Sequence, residues 1–294
     1  MRRLPIPVHM IVTVLFLLTG VHASGQPVTV DVLRTGGIVD TLQYNDGAAI
    51  DLTTLADLDS VTLIRAYSTN PDNSANIGHI DLAGTRTAGG TLDVLIGRAG
   101  AINPFPEELL SAAATNWSGI TVSSGLVNKV RLSGAILGDV NGPINVGEIV
   151  RLQCGGRISA NVTVQNAGLA LGRLVASETA PGATILAEQG SIGTLQFTAS
   201  STTVPVLNIG GDVLVPQGSI DAILAPGWIG GLEGTAPQVL ARDGILTIEA
   251  LVIASATVRG NAYSGSGHLR RIVVQAVYDA TIQGNDLLAD PGNP

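Results

Sequence analysis

The 294-residue sequence has one lysine, one cysteine, four histidines and few aromatic residues, which make up 3% of the chain. A disulfide needs two thiols, so Cys154 leaves stability to packing and hydrogen bonds. The only lysine, Lys129, lies in no G-x-x-x-x-G-K-[ST] phosphate loop. The formal net charge of −8 argues against binding nucleic acid through a general positive field. We therefore expect no nucleic-acid partner and no cofactor.

Residues 1–23 are typical of an export signal. Arg2 and Arg3 give a basic start, an apolar run follows over residues 10–18, and small residues lead up to Ala23. The apolar run is shorter than the ~20 residues of a transmembrane helix. We expect cleavage after Ala23, a secreted or cell-surface location and no membrane span after cleavage. Cleavage takes the formal net charge from −8 to −10 and leaves His79 and His268 as the only histidines.

One spacing recurs through the rest of the chain: apolar-x-x-apolar-x-apolar, with a small residue sometimes in the last position. The copies are Leu58/Val61/Leu63, Ile77/Ile80/Leu82, Leu92/Leu95/Gly97, Val127/Val130/Leu132, a degenerate Val146/Ile149/Arg151, Leu171/Leu174/Ala176, Ile192/Leu195/Phe197, Ile220/Ile223/Ala225, Ile248/Leu251/Ile253 and Leu269/Ile272/Val274. Apart from one interruption, successive copies start 15 to 28 residues apart. The sequence is therefore a ragged repeat.

Strands suit this repeat better than helices do. Gly, Thr, Val, Ile and Asn dominate, and short segments such as 28–32 and 246–250 alternate apolar and polar residues. Glycine, asparagine, aspartate and proline bound these segments and supply bends. The Asn or Cys ladder of a leucine-rich repeat is missing. A coil of roughly 20 to 28 residues with two or three short strands is the unit of a parallel β-helix.

Over residues 55–282 this spacing resembles right-handed parallel β-helix proteins, the pectate-lyase-like architecture that many exported bacterial surface proteins share. The resemblance implies an all-β fold, a right-handed parallel β-helix or solenoid. The ten copies predict about ten coils, and the residues between two of the copies predict one short inserted helix. A β-sandwich is the alternative, because its strands would also be short and evenly spaced.

The predicted organisation has five parts. Residues 1–23 form the signal peptide, 24–57 an N-terminal cap and first coil, 58–282 the β-helix repeats, and 283–294 a polar tail or linker. A helical insertion at about 104–117 interrupts the repeats, because Pro106 suits a first helical turn and helix-forming residues follow it. Phe105 and Trp117 flank the insertion, and we expect them to pack it onto the coils.

The resemblance suggests polysaccharide cleavage, but the motifs for it do not match. The strongest hydrolase signatures of such families are Asp-Asp, Gly-His-Gly and Arg-Ile-Lys, whereas this chain has Gly267-His268-Leu269 and Arg271-Ile272-Val273. The segment 138–148 is similar to a calcium loop at Asp139 and Asn141, but it has Pro143 in place of the third acid. We assign no catalytic, cofactor-binding or metal-binding residue.

These observations favour an exported, non-catalytic β-helix protein with a structural, adhesive or surface-interaction role. The alternative is a polysaccharide lyase or hydrolase, or a carbohydrate-binding protein, on the same fold with an unrecognised site. The expected partners are extracellular polysaccharide or a cell-surface protein, and self-association is a further option.

Overall fold

The computed structural model describes residues 28–68, 75–87, 89–97, 116–198, 206–231, 236–263 and 267–284. Regular structure in these ranges is almost entirely β, apart from one 3₁₀ turn at Val127–Lys129. No helix in these ranges has the length and hydropathy for a membrane span.

The strands, in chain order, are β1 Val28–Arg34, β2 Val39–Tyr44, β3 Ile50–Asp51, β4 Val61–Ser68, β5 Ile80–Leu82, β6 Leu92–Ile96, β7 Ile120–Val122, β8 Val130–Ile136, β9 Ile144–Val146, β10 Glu148–Cys154, β11 Arg157–Ile158, β12 Val162–Val164, β13 Gly168–Ala176, β14 Glu178–Thr179, β15 Thr184–Ala187, β16 Gly190–Phe197, β17 Leu207–Ile209, β18 Asp212–Val215, β19 Ser219–Gly230, β20 Gln238–Ala241, β21 Gly244–Ala254, β22 Thr257–Arg259, β23 His268–Tyr278 and β24 Thr281–Gln283.

These strands form two long sheets. Sheet A has 14 strands, among them the short connecting strands β11, β14 and β17, which join it through β19. Sheet B has 10 strands in the order β24-β22-β20-β18-β15-β12-β9-β7-β5-β3. From β4 onward the chain visits sheet A, then a short connecting face, then sheet B, and returns to sheet A one strand further along. Every pairing after β1 and β2 is parallel. The described chain is therefore all-β with long parallel sheets, as a β-helix or solenoid requires.

Aliphatic side chains stack between successive strands of both sheets. In sheet B one inward position is occupied by Ile50, Ile80, Ile120, Ile144, Val162, Ile185, Val213, Val239, Val258 and Ile282. In sheet A the equivalent ladder is Val32, Ile64, Val94, Leu132, Ile149, Leu171, Ile192, Ile220, Ile245 and Leu269. Nearly all of these side chains are fully buried. Beta-branched residues suit such positions because their stiff side chains pack on a pleated surface.

Sheet A begins with a hairpin of opposite direction. Strand β1 pairs antiparallel with both β2 and β4. The buried carboxylate of Asp31 joins the three strands: it accepts hydrogen bonds from the Thr41 hydroxyl at 2.8 Å and the Tyr67 hydroxyl at 3.0 Å. Burial, followed by the hydrogen bond to Asp31, raises the pKa of Tyr67. The hairpin therefore covers one end of the parallel stack.

The register confirms the repeat in outline and corrects it in detail. Ile149 pairs with Leu171, and Ile223 pairs with Ile248, so these two copies are shifted by three residues from the spacing that the sequence suggests. Their in-register sets are Ile149/Leu152/Cys154 and Ile245/Ile248/Ala250, because apolar residues three apart occur twice in succession in these strands and either pair fits the spacing. Earlier copies differ as well: Leu92 pairs with Val130, Leu95 lies on the outer face, and Ile80–Leu82 belongs to sheet B. A β-sandwich, with its antiparallel sheets, does not match the described pairing.

The insertion predicted at about 104–117 falls mainly on residues 104–115, which lie outside the described residues. Trp117 is described and is fully buried. Its backbone bridges Ile77 on one side and Val140 on the other, both in parallel fashion. Trp117 therefore belongs to the stack itself, on the short face that connects sheet A to sheet B.

Truncating a ladder side chain should destabilise the fold much more than truncating its outward neighbour. Ile185 is buried in β15, whereas Leu186, the next residue, is only partly buried. We expect Ile185→Ala to lower the free energy of unfolding by about 2–5 kcal/mol, through lost transfer energy and a cavity between Val162 and Val213. Leu186→Ala is the matched control. Urea unfolding followed by circular dichroism measures both, and equal losses would contradict the ladder.

Candidate functional site

The outer face of sheet A carries rows of side chains that neighbouring strands hold in line. One row runs through Arg65, Leu95, Ser133, Arg151, Arg173, Thr194, Ala222, Thr247 and Arg271. Parallel strands lie about 4.8 Å apart, so successive residues of the row are close neighbours. The fold thereby gathers residues that are some 20 to 40 positions apart in the sequence.

Three arginines of this face meet an acid on an adjacent strand. Arg131 Nε lies 2.7 Å from Asp93 Oδ1, and Arg271 Nη1 lies 2.5 Å from Glu249 Oε1. Arg65 is 3.8 Å from Asp31. The hydrogen bond to Asp93, the largest cause, raises the pKa of Arg131, and the charges of Asp93 and Glu148 act in the same direction. Each of these arginines is therefore balanced within the fold.

Two arginines of the face are paired with each other instead. Arg151 on β10 is the cross-strand partner of Arg173 on β13. The Arg151 Nη2 group donates to Gln153 Oε1 at 3.1 Å, and the Arg173 Nη2 group donates to Gln196 Oε1 at 2.5 Å. No ion pair to either arginine occurs within the part of the chain that the structure describes. Two arginines thus occupy directly opposite positions on neighbouring strands of an acidic protein.

A groove of about 500 Å³ continues from this pair toward the later coils. Gln196, which accepts the hydrogen bond from Arg173, is one of its lining residues. Leu224, Pro226 and Val273 supply apolar surface, and Gln275 supplies a second amide. A mostly apolar lining with two amides and the carboxylate of Glu249 is suited to holding a polar organic molecule by contact and by hydrogen bonds.

A second polar cluster lies on the outside of sheet B, around His79. The His79 Nδ1 atom is 2.8 Å from the Ser118 carbonyl oxygen, and Nε2 is 3.0 Å from the Thr121 hydroxyl. A carbonyl only accepts, so Nδ1 carries the proton and Nε2 accepts from Thr121 in neutral histidine. Asp81 Oδ1 lies 3.5 Å from the same Nε2 atom and can pair with it only when the ring is protonated. The contacts join two coils across 39 and 42 residues of sequence.

Several acids and amides at the coil corners serve as braces between coils. Asp139 Oδ1 accepts the backbone N–H of Arg157 at 2.7 Å, and Asp212 Oδ1 accepts that of Gln238 at 2.8 Å. The amide oxygen of Asn161 does the same for Thr184 at 2.9 Å. Each bond satisfies a backbone donor in the next coil, which would otherwise lack a partner at the corner.

The calcium-loop resemblance at 138–148 corresponds to one of these corners. Asp139 braces the next coil, while Val140 bridges Trp117 and Ile158. Asn145, on β9, accepts a hydrogen bond from the Gln165 side chain at 3.0 Å. A Cβ at Gly142 would overlap the backbone of Ser118, so glycine is required by close approach of the neighbouring coil. The loop residues are therefore directed at different neighbours rather than at a common centre.

Cys154 and the possibility of a metal site are the remaining candidates from the sequence. Cys154 is buried at the end of β10, and burial, with a smaller effect of the Asp139 charge, raises the pKa of its thiol to about 12. The thiol is therefore neutral at ordinary pH and poorly reactive. Within the described ranges no group of three or more His, Cys, Asp or Glu side chains is arranged to hold a metal ion.

The arginine pair is not apparent from the repeat spacing. That spacing puts Arg151 at the inward end of a degenerate copy, whereas the structure places the residue outward, opposite Arg173. Aligning the copies through Ile149 and Leu152 would have revealed the pairing, since Leu171 and Leu174 follow the same spacing.

Comparison of the chain with protein-family models, with curated proteins and with solved structures found no match.

The brace at Asp139 can be tested with a matched pair of variants. Asp139→Ala removes the acceptor for the Arg157 N–H, and we expect it to lower the free energy of unfolding by about 1–3 kcal/mol. Asp139→Asn retains the Oδ1 acceptor and should lose much less. Thermal unfolding of both variants measures the difference. If the asparagine variant is destabilised as much as the alanine variant, the negative charge rather than the brace is what matters.

Proposed function

We propose that the chain is a right-handed parallel β-helix of about ten coils, exported to the surface or the surroundings of the cell, with a structural, adhesive or surface-interaction role. The sheet order supports the β-helix, because each return to sheet A adds one parallel strand beside the previous one. Right-handed crossovers between parallel strands are nearly universal. The antiparallel hairpin of β1 and β2 acts as the N-terminal cap that an open parallel edge needs.

The observation that carries the proposed role is that many outward polar side chains bond to other parts of the fold. The side-chain oxygens of Asp139, Asp212 and Asn161 accept hydrogen bonds from backbone N–H groups of the neighbouring coil. Arg131 and Arg271 are engaged with acids on adjacent strands. Groups held in this way stiffen the rod and keep its outer rows in register. A stiff surface with side chains at a fixed spacing suits attachment to an extended partner.

Carbohydrate binding is the second candidate, favoured by the groove beside sheet A. Its amides, Gln196 and Gln275, can exchange hydrogen bonds with hydroxyl groups, while Leu224 and Pro226 can contact the apolar faces of sugar rings. Binding of this kind is compatible with the adhesive role, since the ligand would be polysaccharide on another surface.

The non-catalytic proposal is tested by incubating purified residues 24–294 with acidic and neutral polysaccharides, with and without calcium. We expect neither new reducing ends nor the absorbance of unsaturated products, from protein whose circular dichroism shows β-strand. A known lyase and a known hydrolase serve as positive controls for the two signals. Turnover by the purified protein would contradict the proposal, and loss of that turnover with a chelator would indicate a calcium-assisted lyase.

A further inference from the structure

The cross-strand pair of Arg151 and Arg173 has no structural compensation of the kind found elsewhere on sheet A. Like charges directly opposite each other on neighbouring strands destabilise a sheet. The other three arginines described above each meet an acid, whereas these two occupy opposite positions on neighbouring strands and donate hydrogen bonds to neutral glutamines. No acid among the described residues forms an ion pair with either arginine to offset their repulsion. A bound external anion would offset it.

Both guanidinium groups are held in place and remain accessible. The glutamine oxygens of Gln153 and Gln196 each take up one Nη2 group, which leaves further N–H donors on each five-donor fork. Arg173 is exposed, and Arg151 is partly exposed. Gly172 precedes Arg173, and a Cβ on Gly172 would overlap the carbonyl oxygen of Val150, so glycine allows β10 and β13 to approach closely beside the pair.

We propose that Arg151 and Arg173 form a binding site for an oxyanion, the carboxylate or sulfate group of an acidic polysaccharide. Adjacent parallel strands set the backbones of the two residues about 4.8 Å apart, and arginine side chains are long enough for one anionic group to receive N–H donors from both. The inference rests on the proposed surface-interaction role and names the ligand for it.

The groove continues from the arginine pair along the outer face of sheet A. Gln196 belongs both to the arginine pair, through its bond with Arg173, and to the groove lining. An anionic group bound at the pair would therefore place the neighbouring sugars of its polymer beside Leu224 and Pro226. Glu249, the acid in the lining, is neutralised by Arg271 and does not oppose this placement.

The test compares wild type, Arg173→Gln, the double variant Arg151→Gln/Arg173→Gln and the control Arg157→Gln. Arg157, on β11, is paired with Glu178, and neither residue lines the groove. Titration calorimetry at one salt concentration uses polygalacturonate as the carboxylate polymer, heparin as the sulfate polymer and dextran as the neutral one. We expect wild type to bind an acidic polymer but not dextran, with a loss on the order of tenfold or more in the double variant.

A second readout separates ligand binding from a structural role. Removal of a like-charge pair should leave the melting temperature of the double variant unchanged or raise it. A fall of several degrees would assign the arginines to holding the coils together and overturn the proposal. So would double-variant binding as tight as that of wild type, a loss just as large in Arg157→Gln, or a wild type that binds neither acidic polymer.

Failure of the site can be told apart from failure of the proposed role. The same samples are assayed after titration for reducing ends and unsaturated products. Turnover would contradict the non-catalytic role, whatever the binding result. Absence of both turnover and binding would contradict only the oxyanion site.

Discussion

Stacking of one aliphatic side chain on the same position of the next strand is the interaction on which the rest of this structure depends. In sheet B the inward position of all ten strands is isoleucine or valine. A change of size at one level would open a cavity or force its neighbours apart, since protein interiors are close-packed. The low aromatic content follows from the same constraint. Trp117, stacked between Ile77 and Val140, is an exception among the described residues.

Register on the inside fixes register on the outside. Because the ladders hold successive strands in register, outward residues distant in sequence become neighbours. This creates both the ion pairs of sheet A and the cross-strand pairing of Arg151 with Arg173. At the coil corners the chain turns and the hydrogen-bond ladders of the sheets end, so backbone N–H groups need side-chain acceptors. Asp139 and Asp212 accept hydrogen bonds from such N–H groups of the next coil. The same strand register therefore determines both the packing of the coils and the positions of the candidate site residues.

The all-β class and the repeat could be predicted from the sequence, because apolar spacing and turn residues are local signals. The exact register could not, since Ile245 and Ile248 both fit the repeat and only the neighbouring strand decides between them. Arg151 was misplaced for the same reason. The braces were also beyond prediction: the role of Asp139 depends on a backbone group 18 residues away, in another coil. The apolar spacing within one coil does not determine which residues of other coils it contacts.

Disulfide trapping across sheet B tests the parallel register most directly. In a Cys154→Ala background, Thr163→Cys and Leu186→Cys would introduce thiols on cross-strand partners about 4.8 Å apart, within the span of a disulfide. Thr163→Cys with Leu240→Cys is the control, because three strand spacings, about 14 Å, separate those positions. We predict rapid bond formation on mild oxidation in the first variant and none in the second. Equal trapping in both, or trapping only in the control, would contradict the stacked-coil account.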